Sequence, residues 1–352
     1  MKEQQKNLRS YILPALIGNV SIYFLTIVDG MFVGNGVGTD ALGAVNLAMP
    51  YVMIVSAISV LLNIGGVAVT AVRLGRGDTD GANQAFMHVL TAIVAVFAAL
   101  SVAGTVFARE IAVMLGANDT FRDMVTDYVR YYSMFLLAGG LLNCMSSFVR
   151  NDGEPALSTV AALTATAVNI FGDWLTVYPL QMGVGGAALA SGVSQAVAAL
   201  VLLTHFLRKH GKLRFACVRL SAKLYRKILL RGLPEMVSQF AAPLTMFFMN
   251  RILITHLGDA AVNAFSVIGY AGSLFASLMY GLSGGLQPLF GQSYGAKDDK
   301  SLRYYFRAGM KMSLIGGAAV FAVTFFIGRP VCALFGADES AAQIVVDLEC
   351  LE

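Results

Sequence analysis

The sequence predicts an all-α polytopic membrane protein: two parallel six-helix lobes related by a pseudo-two-fold axis along the membrane normal. The second lobe is incomplete, giving about nine full spans. Three observations lead there. The 352 residues are 57% hydrophobic and only 13% charged, against about 25% charged in an ordinary soluble domain. The charges gather in short stretches between long apolar runs. One constant offset, the one that carries Pro14 onto Pro234, brings the turn residues of the two halves into register.

A membrane span needs about 20 mostly apolar residues. Nine runs qualify, over residues 11–33, 44–72, 85–107, 124–148, 156–179, 184–207, 230–255, 262–290 and 304–327. All must be helices, because lipid leaves no partner for open backbone groups and barrel strands would alternate in polarity. The first run is too long for a signal-peptide core and lacks a small-residue cleavage site, so it is a span. A tenth segment opens at Ser340 and reaches Glu352. The expected division is a first lobe over 1–207, a basic cytoplasmic linker over 208–229 and a partial second lobe over 230–352.

Orientation follows from the cations. With the N-terminus in the cytoplasm, the inner stretches hold 20 of the 25 Lys and Arg and every lysine. The stretch from Arg208 to Arg231 has nine cations and no acid, as a topology anchor would. The basic residues lie between apolar runs rather than along an amphipathic face, which excludes nucleic-acid binding. Cys144, Cys217, Cys332 and Cys350 have neither metal-ligand spacing nor a disulfide pattern. His88, His205, His210 and His256 are scattered and form no metal site.

The repeat is carried by residues that set turns and kinks. Sliding by 220 places Pro14 on Pro234, Gly38 on Gly258, Gly65 on Gly285, Gly75 on Gly295 and Asp78 on Asp298. It also places Gly116 and Ala117 on Gly336 and Ala337, and Asp127 on Asp347. Each unit holds six spans, an even number, so both units enter the membrane from one side and the repeat is parallel. On that count three helices of the second lobe are expected to be missing.

Ionisable residues inside a span are costly and mark function. Asp29 lies in the first span, Asn169 and Asp173 in the fifth and Ser191 in the sixth. With a rise of about 1.5 Å per residue, all four sit at similar depth in the outer half. Asn169 and Asp173 are four apart and share a helix face. Each acid, taken alone, could equally be an interfacial group solvated from outside. Their common depth favours a site. Asp29 falls on Met249 in the second lobe, so the scaffold does not require the acid. Such a carboxylate can take a proton or pair with a cation, but not both, as an exchanger needs. The same oxygens could instead cage Na⁺. Aromatic and Met residues along the spans are read as packing or lipid contacts.

Several stretches together resemble the multidrug and toxic compound extrusion (MATE) transporters. VDGMFVG (28–34), with Pro14 fifteen residues before its Asp, resembles the family's first helix. RNDGEP (150–155), NIFGD (169–173), GVGGAALAS (183–191) and GQSYGAKD (291–298) resemble its later landmarks. The resemblance implies a secondary antiporter that exports cationic, amphipathic drugs or metabolites in exchange for H⁺ or Na⁺ by alternating access. It implies no enzyme activity and no cofactor beyond the coupling ion. Asp29, Asn169, Asp173 and Ser191 match the family's cation and substrate site. Pro14 matches its helix-bending proline. Na⁺ at that site is the one metal admitted. The expected protein is a multi-pass monomer of the cell (inner) membrane acting on small cationic organic compounds. Trp174 departs from the family, which usually has Pro there.

Three other readings compete. A related lipid-linked oligosaccharide flippase would favour a cationic cleft, whereas the deepest charges here are acidic. An intramembrane enzyme would show His/Asp or Ser/His pairs within spans, and none appear. A non-functional transporter fragment is the third.

Overall fold

The computed structural model describes residues 2–119, 121–208, 211–257 and 259–334. The expected tenth segment, 340–352, and the repeat partners Gly336, Ala337 and Asp347 lie outside them. The described chain forms helices α1 (Lys2–Gly36), α2 (Thr39–Gly75), α3 (Thr79–Val106), α4 (Ala108–Met114), α5 (Arg122–Met134) and α6 (Leu136–Asn151). It continues with α7 (Pro155–Val177), α8 (Gly183–Leu207), α9 (Ala222–Leu257), α10 (Asp259–Gly295) and α11 (Asp299–Leu334). Among the described residues there is no strand.

Each of the nine expected spans corresponds to a helix or helix pair. Helices α1, α2, α3, α7 and α8 are individually long and apolar enough to cross a membrane. Helices α5 and α6, bent by 49°, are together long and apolar enough for a sixth crossing if the pair is one span. The expected span over residues 124–148 is therefore a helix pair broken at Phe135. The cause is local. Phe135 separates the two helices, and its ring leaves no room for a side chain on Gly192 of α8. Ser101 of α3 donates to the Ser133 carbonyl at 2.7 Å, occupying an acceptor at the break. The short helix α4 has no counterpart among the sequence expectations. Helix α9 begins at Ala222, so its first two turns belong to the stretch expected as linker. Lys223, Arg226 and Lys227 form helix readily, and nothing breaks the chain between them and the apolar run.

The two repeats share a backbone detail. After α2 the chain turns through Gly77 at φ 77° into Asp78, whose carboxylate accepts from Gly81 N at 2.9 Å. After α10 it turns through Lys297 at φ 57° into Asp298, which accepts from Ser301 N at 3.1 Å. Four backbone hydrogen bonds recur at the repeat offset: Arg76 to Val72, Gly77 to Leu74, Asp78 to Arg73 and Ala82 to Asp78 correspond to Ala296 to Gln292, Lys297 to Tyr294, Asp298 to Ser293 and Leu302 to Asp298. Lysine holds the left-handed conformation in the second copy, where glycine holds it in the first.

The main core fills the first lobe. Phe86 of α3 is wholly buried between Phe148 of α6 and Phe206 of α8, with ring centroids 4.9 and 5.0 Å away. Ile93, Phe97, Cys144 and Leu202 continue it.

The lobes meet closely in the half of the bundle that carries the N-terminus, the basic end. There is no room for a methyl on Gly65 against the Ile228 carbonyl, on Gly232 against the Leu61 carbonyl, or on Gly295 against the Val72 carbonyl. Hydrogen bonds cross from Gln4 to Ser301 at 2.9 Å and from Gln292 to the Asn151 carbonyl at 2.7 Å. Ser277 donates to the Asn19 carbonyl at 3.0 Å. Farther along α1, Ile22, Phe24, Ile27 and Met31 are exposed. The cross-lobe hydrogen bonds among the described residues therefore lie toward the basic end.

Candidate functional site

The site is built from α1, α7 and α8, and small residues let these helices approach. A methyl at Gly172 would lie 2.9 Å from Ala190 Cβ, so α7 and α8 nearly touch there. Gly36 of α1 has no room for a side chain against Val177 of α7, and Gly18 packs on Ala162. The far ends of the three helices are thereby drawn together. Asp29 lies seven residues from the end of α1 and Asp173 four from the end of α7, while Ser191 lies eight into α8. At a rise of about 1.5 Å per residue these positions are about 6–12 Å from the helix ends.

All four residues singled out in the sequence come together. Asp173 and Asn169 are 0% and 1% exposed, so neither is an interfacial group. The Asn169 amide, oriented by its hydrogen bonds, donates to Asp173 Oδ2 at 3.3 Å and accepts from Ser191 Oγ at 3.1 Å. The Asp29 and Asp173 side chains face each other closely enough to interact. Two carboxyl groups so placed can share a hydrogen bond when one carries a proton, because an ionised carboxylate has no donor. The other oxygens, Asp29 Oδ1 and Asp173 Oδ1, are buried without a protein partner. Buried acceptors left open are costly. The site thus offers two free acceptor oxygens beside an amide and a hydroxyl.

Pro14 lies outside this cluster, fifteen residues nearer the basic end on the same helix. Its carbonyl accepts from Thr159 Oγ1 of α7 at 2.7 Å. The proline turn of α1 is therefore tied to the helix that carries Asn169 and Asp173. Helix α1 is continuous through Pro14.

Sequence reasoning missed the tyrosines. Tyr128 of α5 lies within electrostatic reach of Asp29. It stacks on Tyr132 with centroids 6.0 Å apart and rings 5° from parallel, and Tyr132 meets Tyr51 of α2 edge-on at 6.2 Å. Tyr51 bonds Ser133 at 2.8 Å. The signal was present, since tyrosines four apart share a helix face, but it was read as packing. Among the described residues no three His, Cys, Asp or Glu side chains group as metal ligands.

The MatE family model matches the chain twice, over residues 14–175 and 234–348, two stretches that open on the repeat's own proline pair. The chain belongs to the MatE family. It is 25% identical to a FAD transporter of Shewanella oneidensis over 341 residues, covering 94% of this chain and 74% of that one. It is 23% identical over 347 residues to the multidrug export protein MepA of Staphylococcus haemolyticus, covering 97% and 75%. Among solved structures it matches an outward-facing multidrug resistance MATE family transporter of the MOP superfamily at TM-score 0.90. That alignment covers 98% of this chain and 78% of the other at 22% identity. A MATE structure in complex with MaL6 matches equally, at TM-score 0.90 and 24% identity. These neighbours share the two-lobed, all-helical fold. The MatE chain is a multi-pass membrane protein of a family of transporters, not enzymes.

Proposed function

We propose that this MatE protein is a secondary active antiporter that exports cationic, amphipathic drugs or metabolites in exchange for H⁺ or Na⁺ by alternating access. The observation that carries the reading is the facing Asp29–Asp173 pair, left with two buried, unpartnered oxygens. A proton between the carboxyls lowers their mutual repulsion. Its departure puts two like charges in contact, an arrangement that favours entry of a cation. Proton and cargo thus compete for the same oxygens, and competition is the essence of exchange. Na⁺ would find its oxygen ligands in Asp29, Asp173, Asn169 and Ser191. The Tyr128–Tyr132–Tyr51 ladder adds aromatic faces that attract organic cations.

The positive-inside pattern favours a basic end, where the lobes are closed, in the cytoplasm of a cell whose inner membrane the monomer spans. A flippase of related fold would need a cationic substrate site, whereas the Asp29–Asp173 cluster is acidic.

The test is ethidium accumulation in everted membrane vesicles under an imposed pH gradient and, separately, a Na⁺ gradient. One gradient is expected to drive accumulation, and Asp29→Asn and Asp173→Asn should reduce it to the vesicle background at equal protein level. Accumulation unchanged in both variants would sink the assigned role of the pair. Because one relative transports FAD, FAD serves as the second cargo; gradient-driven movement of FAD but not ethidium would replace the cationic substrate class.

A further inference from the structure

A second buried charged cluster lies at the basic end, far from Asp29. His205 of α8 is buried, and both its ring nitrogens face carboxylates: Nε2 is 2.9 Å from Asp152 Oδ2, and Nδ1 is 2.9 Å from Glu154 Oε2. Both acids belong to the turn between α6 and α7. Asp152 is saturated further. It accepts from Lys212 N at 2.9 Å and Leu213 N at 3.0 Å, and Gly211 passes so close that no side chain would fit. One carboxylate thereby joins the α6–α7 turn, the end of α8 and the linker to the second lobe. The linker is held again by Asn83, which accepts from Arg214 N at 2.8 Å, and by His88, which accepts from Ser221 N at 2.9 Å.

The residue before Asp152 completes the connection. The Asn151 carbonyl accepts the inter-lobe hydrogen bond from Gln292 of α10. The backbone of Gln292 in turn lies against Gly75 of α2. The turn that His205 fixes is thus one of the surfaces on which the second lobe closes.

We propose that His205, Asp152 and Glu154 form a proton-operated clasp that holds the α6–α7 turn and the linker in the position that closes the basic end. The geometry sets the sign. Both ring nitrogens donate only in the imidazolium. With one proton gone, a lone pair faces a carboxylate at hydrogen-bond distance, and one of the two bonds turns repulsive. The clasp is complete at low pH and weakens as pH rises. The ring faces Asp152 and Glu154 from the turn. Phe86 of α3 stacks on the neighbouring Phe206. Tyr11 of α1 lies within electrostatic reach of Asp152, and Arg150 instead directs its guanidinium toward Gly284 of α10. Asp29 and Asp173 take no part, so the proposal stands apart from the transport reading.

Hydrogen–deuterium exchange on the full chain in nanodiscs, corrected for intrinsic pH dependence, tests it between pH 5.5 and 8.5. The amides of Lys212 and Leu213, which bond Asp152 directly, should lose at least about tenfold protection as pH rises, the scale of a charge-assisted hydrogen bond. Peptides spanning residues 288–296 should lose protection with the same midpoint. Glu154→Gln removes one of the two anions and should move the midpoint to lower pH. In His205→Gln the transition should vanish. The proposal is overturned if the unsubstituted chain shows no transition, if the transition survives His205→Gln, or if 288–296 fails to follow the linker. An unmoved midpoint in Glu154→Gln, whose side chain is 39% exposed and tolerant of change, also overturns it.

Discussion

Phe86 of α3 and Phe306 of α11 occupy equivalent places in the two repeats, yet the first is 0% exposed and the second 59%. The helices that carry them start from the same capped turn with the same backbone hydrogen bonds. The difference lies in what packs on them. Phe86 is enclosed by Phe148 of α6 and Phe206 of α8. Around Phe306 the neighbouring helices leave a cavity of about 660 Å³ lined by Leu286, Phe290, Tyr294 and Met310. The proline turns differ likewise. The Pro14 carbonyl accepts from Thr159 of α7, whereas the Pro234 carbonyl accepts from Ser238 of its own helix at 3.0 Å.

That contrast can be broken at several points. The largest effect is expected on transport. Asp29→Asn should abolish gradient-driven efflux, while substitution of its counterpart, Met249→Ala, should leave it unchanged in the same vesicle assay. Next comes Phe86→Ala, which should cost about 3–5 kcal/mol, against no more than about 0.5 kcal/mol for the exposed Phe306→Ala. Denaturant unfolding in detergent measures both, and equal losses would refute the packing contrast. Gly172→Val forces a branched side chain against Ala190 and should cost about 1–3 kcal/mol, with a matching loss of transport as α7 and α8 separate. Thr159→Val should cost about 1 kcal/mol by removing the bond to the Pro14 carbonyl. The exposed Ser238→Ala should be near neutral. Smallest is the turn itself. Lys297→Gly relieves a left-handed lysine and should raise stability by about 0.5 kcal/mol, whereas Gly77→Lys should lower it by about 1 kcal/mol.

Much of this was legible in advance, and for identifiable reasons. Lipid admits only apolar helices here, so the nine spans could be read from run length. Asp29, Asn169, Asp173 and Ser191 were recognisable because polar groups are rare at that depth and helical rise fixes their level. The break at Phe135 was not legible, because it depends on Gly192 of α8 and Ser101 of α3, far away in the chain. The Tyr128–Tyr132 pair was legible from its spacing, but the contact of Tyr132 with Tyr51 was not, because the two belong to different helices. The histidines looked scattered. Two of them, His88 and His205, turn out to anchor the linker, through partners 133 residues away and, for His205, 51 and 53 residues away.

The residues alone were enough for the helical class, the internal repeat and the depth of the acids, since each depends on local polarity and the constant geometry of a helix. Packing decided the rest. That Asp29 and Asp173 face each other, that the lobes meet at the basic end, and that Phe86 is enclosed by Phe148 and Phe206 depend on which helices lie side by side. Those contacts form between residues far apart in the chain, and the close approach of glycines such as Gly65, Gly172 and Gly232 selects them.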